Sequence, residues 1–483
     1  MPSDTGNGGC ELKRILVSLL VLSLIFTASC MLPTAGQQTI ENELVIISSH
    51  SKGILDSFKA AFEKYTNDVL KTPVTLRYSY YSSEDCYKLA KEWAGKPKAD
   101  IWWGGGVTLF QTAAKENLLL KYKCKDWGKI PTSLFGLPAR DADGSWTGYA
   151  VSGFGLAINL DYLKKYNLPE PKTWMDLLNP AYRGHIVMCT PTRSSSTHQM
   201  VEIILQGMGT DAGWAYLRKM AVNVGLFTGR SGDVINDINK GEHGIGLVVD
   251  YYGFESYAAG YPVKLVYPSD YSYANPDSVA ILSGATHPNA SRLFIDYLIS
   301  EEGQKLGMGI EQRGVKDPSP RLPVRTDLAL PSYLPDLTKM KMIAFNDTLS
   351  NARWRDVNTV YEETIEKKHA ELKEAWSAIE SAQKSITGAE NQMKSMENEG
   401  YDTSKAKAEL TKAKDLITGA LKTFDAGDYG ATKSSAAKAS DTAKASTGLA
   451  EKPPPYSTYA MIVVVVLVLV VAVYYYSKKK RAK

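Results

Sequence analysis

Catalytic signatures are what this chain lacks. It has no HExxH, no G-x-S-x-G turn, no Walker loop and no G-x-G-x-x-G after a strand. Each absence removes a chemistry: zinc peptidase, elbow-type hydrolase, nucleoside triphosphate cradle and dinucleotide binding in turn. The glycine run at Gly104 is too weak a phosphate signal to restore one, and six histidines in 483 residues are ordinary. The chain reads as a protein that is not an enzyme and carries no cofactor. A large excess of one charge is also missing, the formal net charge being +4 with much of the excess in the last residues. Nucleic acid is therefore not an expected partner. The five cysteines include no CxxC pair, which speaks against a cysteine zinc site.

The two ends carry the long apolar runs. Lys13 and Arg14 precede ILVSLLVLSLIF, which is short for a membrane span and is followed by small residues, as in a secretion signal over residues 1–36. Thr27-Ala28-Ser29-Cys30 resembles a lipobox, so lipidation at Cys30 and ordinary cleavage after Ala35 or Gly36 both stand, and a retained anchor is the other reading. At the far end YAMIVVVVLVLVVAVYYY, residues 459–476, has no charge and as a helix would span about 27 Å, close to the hydrocarbon thickness. Lys478, Lys479, Lys480, Arg481 and Lys483 follow, which places the tail, residues 477–483, in the cytoplasm and everything before the anchor outside the cell. An exterior location permits a disulfide, and with Cys10 and Cys30 set aside the pairing expected is Cys86 with Cys124, Cys189 being a core residue.

Between the ends, short apolar strands alternate with helices, the pattern of an α/β protein. Strands are expected at 43–49, 74–80 and 99–106, each followed by a helix. Apolar stretches at 148–159 and 272–284 fit two crossings between lobes, the second lobe lying at about 160–270 of a solute-binding domain at 41–345. Residues 171–197 read as a short helix at 173–178, a turn at Asn179-Pro180, a break at Gly184, a strand at 185–188 and a Ser/Thr-rich loop, with a second helix from about His198. From about Thr359 the composition turns to Ala, Lys, Glu and Ser. Ile365, Leu372, Ile379, Ile386 and Met393 recur every seven residues, and Leu410, Ala413, Ile417, Ala420 and Phe424 continue the seam. Gly400 and Gly427 divide it, so three helices forming a bundle or coiled-coil stalk are expected at 358–449.

Three motifs together resemble a known family. PKTWMDLLNPAYRG, ADIWWGGG and ISEEGQK look like the extracellular solute-binding proteins of ABC importers, of the family 1 type that includes ferric-iron binders, and the likeness runs from Leu44 to Arg325. The resemblance implies a type II periplasmic-binding-protein fold, two lobes that close on a polar solute, and an ABC permease with its ATPase as partners. The C-terminal anchor resembles the arrangement in archaeal binding proteins, with the membrane contacted through that helix. A surface sensor or adhesion protein of the same fold is the alternative.

Candidate ligand groups fall at strand ends, where open α/β sheets place their sites. Ser49 and His50 end the first strand, Gly104 and Gly105 the third, and Ser152 lies in the crossing. Thr192, Ser194 and Ser195 form the hydroxyl loop, Ser231 and Asp233 open a helix as ligands or as caps, and Asp250 ends the strand HGIGLVVD. Tyr251 and Tyr252 follow, and GEHGIGLVVDYY resembles the ferric-binding branch, which implies that this pair ligates Fe(III) as cargo. Fe(III) is a hard ion suited to phenolate oxygen. The same resemblance implies a histidine near the first strand end and an acid after the third. Here His50 is shifted by one residue, and Gly104, Gly105 and Gly106 stand where the acid would be. Two adjacent strand residues point to opposite faces, so both tyrosines can enter one site only if the strand has ended. An oxyanion or small organic solute held by residues 192–197 is the competing cargo. Trp102 and Trp103 divide between ligand stacking and core packing.

Overall fold

The computed structural model describes residue 1, residues 39–452 and residues 456–481. The expected secretion signal and Cys30 lie outside the described residues. The first half alternates strand and helix as β1 (Glu43–Ser48), α1 (Lys52–Lys64), β2 (Thr75–Tyr80), α2 (Ser83–Glu92), β3 (Ile101–Gly106) and α3 (Val107–Lys115). Then come β4 (Thr147–Asn159), β5 (Ile186–Cys189), α4 (Ser195–Met208), α5 (Thr210–Ala221), β6 (Val224–Thr228), α6 (Ser231–Lys240), β7 (Ile245–Val249), α7 (Asp250–Ala258), β8 (Val263–Val266) and β9 (Ala274–Leu282). The strands follow the order β2-β1-β3-β9-β4-β7-β5-β6, with β8 against β4.

The thirteen residues of β4 are all buried and serve two groups of strands. Thr147 to Gly153 pair antiparallel with β9, and Phe154 to Ile158 pair antiparallel with β7. β1, β2 and β3 run parallel on one side, β5, β6 and β7 parallel on the other. The apolar stretch expected to make the return crossing lies wholly in the first group as β9, and the chain passes between groups just before it. A third passage was not expected: Ser272 exchanges backbone bonds with Lys341 and Ile343 at 2.8 and 3.0 Å, carrying the chain back to the second group.

The amphipathic spacing of α1 turns Ile54, Leu55, Phe58 and Phe62 onto the first group of strands. Trp103 sits among them, edge-on to Phe58, Tyr149 and Phe294 at 5.3 to 5.4 Å between ring centres. Trp102 stacks on Phe110 at 4.0 Å. Both indoles are fully buried, so packing, not ligand stacking, fixes them. The disulfide expectation is corrected: Cys86, Cys124 and Cys189 are free and buried, with Cys86 and Cys124 in different cores. Each is a small apolar filler whose thiol burial pushes up, to about 12 for the first two.

Beyond the strands, α8 (Trp354–Tyr361) leads through a π turn into α9 (His369–Asn398), α10 (Ser404–Ala426) and α11 (Tyr429–Ser446). The heptad residues Leu372, Ile379, Ile386, Met393, Leu410, Ala413, Ile417, Ala420 and Phe424 are all buried, and Gly427 caps α10 in the left-handed region. These helices do not stand free as a stalk. Their core is continuous with that of α4, α5 and β5, and Tyr361 reaches the Met188 sulfur at 3.2 Å. Polar ties accompany it: Arg218 to the Asp425 carbonyl at 2.6 Å, Arg183 to Glu380 at 2.8 Å, and His369 to the Ala221 carbonyl at 2.9 Å. The last helix is α12 (Tyr456–Arg481), in which Tyr459–Lys480 is long and apolar enough to cross a membrane and has no buried residues.

The shared core makes a prediction. Leu372 is fully buried, and Leu372→Ala should cost about 2–5 kcal/mol. Calorimetry of the full chain should show the bundle and the second group of strands lose stability together. A variant that lowers a separate bundle transition and leaves the rest untouched would contradict the continuous core.

Candidate functional site

An open cleft of about 1220 Å³ lies along the strand ends, and its lining is dominated by helix beginnings. Ser51 and Lys52 start α1, Ser82 to Glu84 start α2, and Gly105 and Gly106 precede α3. Ser194 to Ser196 start α4, Arg230 to Asp233 start α6, and Val249 and Tyr251 start α7. The arrangement follows from connectivity, because a parallel strand hands its helix on at its C-terminal edge. Each helix start carries unpaired N–H groups and a partial positive charge, so six of them favour an anion.

Hydroxyls join two of these starts. Ser194 Oγ lies 2.5 Å from Ser231 Oγ and 3.0 Å from Ser196 Oγ, and Ser196 lies 3.1 Å from Ser231. Ser194 also accepts from the Thr197 N–H, which starts α4 at Ser195, earlier than the expected His198. Exposed Thr192, Arg193 and Arg230 flank this triangle in the cleft.

The floor is a connected polar cluster. His50 Nε2 meets the Tyr149 hydroxyl at 2.6 Å, and Arg321, which can only donate, reaches His50 Nδ1 at 3.3 Å. The proton therefore belongs on Nε2, and the ring is neutral. Its pKa lies well below the usual histidine value, through burial first and the Arg321 charge second. Arg321 in turn faces Asp277 at 3.4 Å, and Asp277 accepts from the Ser152 hydroxyl at 2.5 Å. The three glycines allow this closeness. A Cβ on Gly104 would stand 2.6 Å from His50 Nε2, one on Gly105 2.9 Å from Ser83 Oγ, and one on Gly106 2.8 Å from Asn275 Nδ2. Gly104 and Gly105 also have φ of +101° and +115°. No acidic side chain fits there.

Tyr251 and Tyr252 both line the cleft because β7 ends at Val249 and they sit in the first turn of α7, their rings 4.5 Å apart. Burial, before any neighbouring group, raises both phenols above their ordinary range, which favours the protonated form. Of the further ligands that the resemblance implies, His50 has both nitrogens engaged and the acid after the third strand is absent, glycine standing there; the carboxylates that line the cleft are Glu84, Asp233 and Asp277. Two sequence candidates are corrected. Gly104 is buried and does not line the cleft. Asp250 is turned inward: its Oδ2 accepts from the Gly153 N–H at 2.6 Å and the Tyr267 hydroxyl at 2.8 Å, at the point where β4 changes partners. Ser49, His50, Gly105, Ser152, Thr192, Ser194, Ser195, Ser231 and Asp233 line the cleft.

Sequence reading missed other lining residues. Lys52, Ser83 and Glu84 begin helices after strands that had been identified, and the rule of strand ends would have reached them. Asn275 and Asp277 escaped it because β9 is antiparallel and presents its beginning to the cleft. Trp354 had no signal, since it comes from beyond the strands.

Residues 96–320 match the family described as bacterial extracellular solute-binding protein, a family of substrate-binding proteins and not of enzymes. The phosphoglycerate transport regulatory protein PgtC of Salmonella typhimurium is 34% identical over 234 residues, 48% of this chain and 57% of PgtC. The chain thus spans little more than half the length of that relative. The periplasmic binding protein AfuA from Actinobacillus pleuropneumoniae, solved with exogenous fructose-6-phosphate, is 22% identical with a TM-score of 0.57, covering 67% of this chain and 99% of AfuA. Iron-bound HitA from Pseudomonas aeruginosa is 18% identical with a TM-score of 0.53, covering 66% and 99%. The mixed α/β fold is that of the periplasmic binding proteins.

Asp250 supplies a test by pH. Burial raises its carboxyl pKa to about 7, so the folded state holds a proton that the unfolded chain, near 4, releases. The resulting stability is full below about pH 4 and is lost as pH rises through about 7. Asp250→Asn keeps an acceptor and removes the titration. Denaturant unfolding should find the variant matched to wild type in acid and more stable at pH 8. A constant difference across that range would show that folding leaves the Asp250 pKa unshifted.

Proposed function

We propose, from the premise that residues 96–320 are a bacterial extracellular solute-binding module, that the cleft captures an organic anion bearing a phosphoryl group. The observation that carries this reading is the meeting of six helix starts with the Ser194, Ser196 and Ser231 hydroxyls and the Arg193 and Arg230 side chains. Such a site offers N–H and O–H donors to tetrahedral oxygens and a positive field to their charge. A phosphoglycerate transport regulatory protein among the relatives and fructose-6-phosphate in a structural neighbour support the same class. The Tyr251 and Tyr252 pair, with iron-bound HitA as a neighbour, favours Fe(III) as a second reading. It ranks lower because His50 is already bonded on both nitrogens and glycine replaces the acid.

Binding would draw the two groups of strands together about β4 and present the closed form to an ABC permease and its ATPase. The chain would be held at the cell surface by Tyr459–Lys480, with the basic tail inside.

Titration calorimetry of the detergent-solubilised chain with 3-phosphoglycerate, fructose 6-phosphate, inorganic phosphate and Fe(III) tests the cargo. Phosphate esters should bind and make the scattering profile more compact, and Arg230→Ala should weaken them about 10- to 100-fold, the value of one charge-assisted hydrogen bond. Fe(III) binding with a visible phenolate band that Tyr251→Phe/Tyr252→Phe abolishes, and no ester binding, would reverse the ranking. For topology, protease added to intact cells should digest the strands and bundle yet spare an epitope after Lys478. Digestion of that epitope in sealed cells would refute the orientation.

A further inference from the structure

Trp354 lines the cleft although it lies outside the matched residues 96–320. The chain reaches it after its third passage, and its place is fixed by bonds to α4. The Trp354 ring packs on His198 at 3.7 Å between centres. His198 is buried, and residues on either side of Trp354 hold it: Asn358 Oδ1 lies 2.8 Å from Nδ1 and Ser350 Oγ 3.3 Å from Nε2. Arg353 clamps Glu202 through two nitrogens at 2.8 and 2.7 Å. The Glu202 carboxylate is fully buried, so removing that guanidinium would strand a charge. The indole is thus set by an ion pair to a fully buried carboxylate and by a buried imidazole, both on the helix whose start supplies Ser194 and Ser196 to the hydroxyl triangle.

We infer that Trp354 is a specificity-determining residue that packs on the carbon skeleton of the bound solute, while the helix starts and hydroxyls hold its anionic group. The inference rests on the phosphoryl-solute reading and adds the part of the ligand that bare phosphate lacks. An indole face beside a polar anion site suits the C–H face of a sugar or glycerol backbone, with Phe154 as a second apolar surface in the same cleft. It also ties solute recognition to the root of the bundle, because α8 continues through the π turn into α9.

The test uses the full chain with fructose 6-phosphate and inorganic phosphate as probes. Trp354→Ala should weaken fructose 6-phosphate about tenfold and leave inorganic phosphate unchanged, and Trp354→Phe, which keeps a ring on His198, should fall between. In chain labelled with 5-fluorotryptophan, the fluorine resonance missing from Trp354→Phe should shift on adding fructose 6-phosphate and stay in place with inorganic phosphate. Equal weakening of both probes, or an unmoved resonance in a wild type that binds fructose 6-phosphate, overturns this inference alone. A wild type that binds neither probe overturns the phosphoryl-solute reading and this inference with it.

Discussion

Strand β4 is the constraint on which the rest of the molecule depends. It hydrogen-bonds to β9 with its first half and to β7 with its second, so both groups of strands take their register from one buried segment. The change of partner falls between Gly153 and Phe154. Gly153 is glycine because a Cβ there would stand 2.6 Å from the Tyr267 ring and 3.0 Å from Asp250 Oδ2. Asp250 fills that corner and binds the Gly153 N–H, a backbone donor that would otherwise be unpaired where the two ladders part. The residue that looked like a ligand is therefore a pin for the joint beside the cleft.

From this register the character of the cleft follows. Parallel strands on both sides of β4 end toward one space, and each passes its chain to a helix whose N-terminus opens there. The concentration of donors is a property of the topology, and the hydroxyl triangle adds side-chain donors at two of those starts. The same close packing that brings the starts together removes room for a carboxylate, since the three glycines touch His50, Ser83 and Asn275. Space thus keeps an acid off the glycine wall, while the helix starts and the hydroxyl triangle make the opposite side of the cleft rich in hydrogen-bond donors.

The bundle is part of the folded body. A heptad seam normally implies helices that bury one another, and here the seam also meets α4, α5 and β5. Ala-rich helices bury little area each, and a shared core with the second group of strands supplies what the seam alone lacks. The route between them, residues 346–361, brings Trp354 to the cleft, which is how a segment outside the matched residues 96–320 comes to line it.

The sequence determined the alternation of strands and helices, the heptad seam, the apolar C-terminal run and the hydroxyl loop, because these depend on local period and composition. It also brought Ser49, His50, Ser152, Ser194 and Ser231 into consideration, since strand ends can be read from where apolar runs stop. Whether Asp250 faces the cleft or the joint was not legible, because one side-chain rotation decides it and the deciding partners, Gly153 and Tyr267, are distant in the chain. The fate of the cysteines was equally hidden, as pairing requires proximity and Cys86 and Cys124 fold into separate cores. Asn275 and Asp277 were lost to strand direction, and Trp354 to a third passage that no periodicity records. Local chemistry supplied the list of donors; only long-range packing decided which of them share a space, because hydrogen-bond partners and van der Waals neighbours are set by the meeting of elements far apart in the chain.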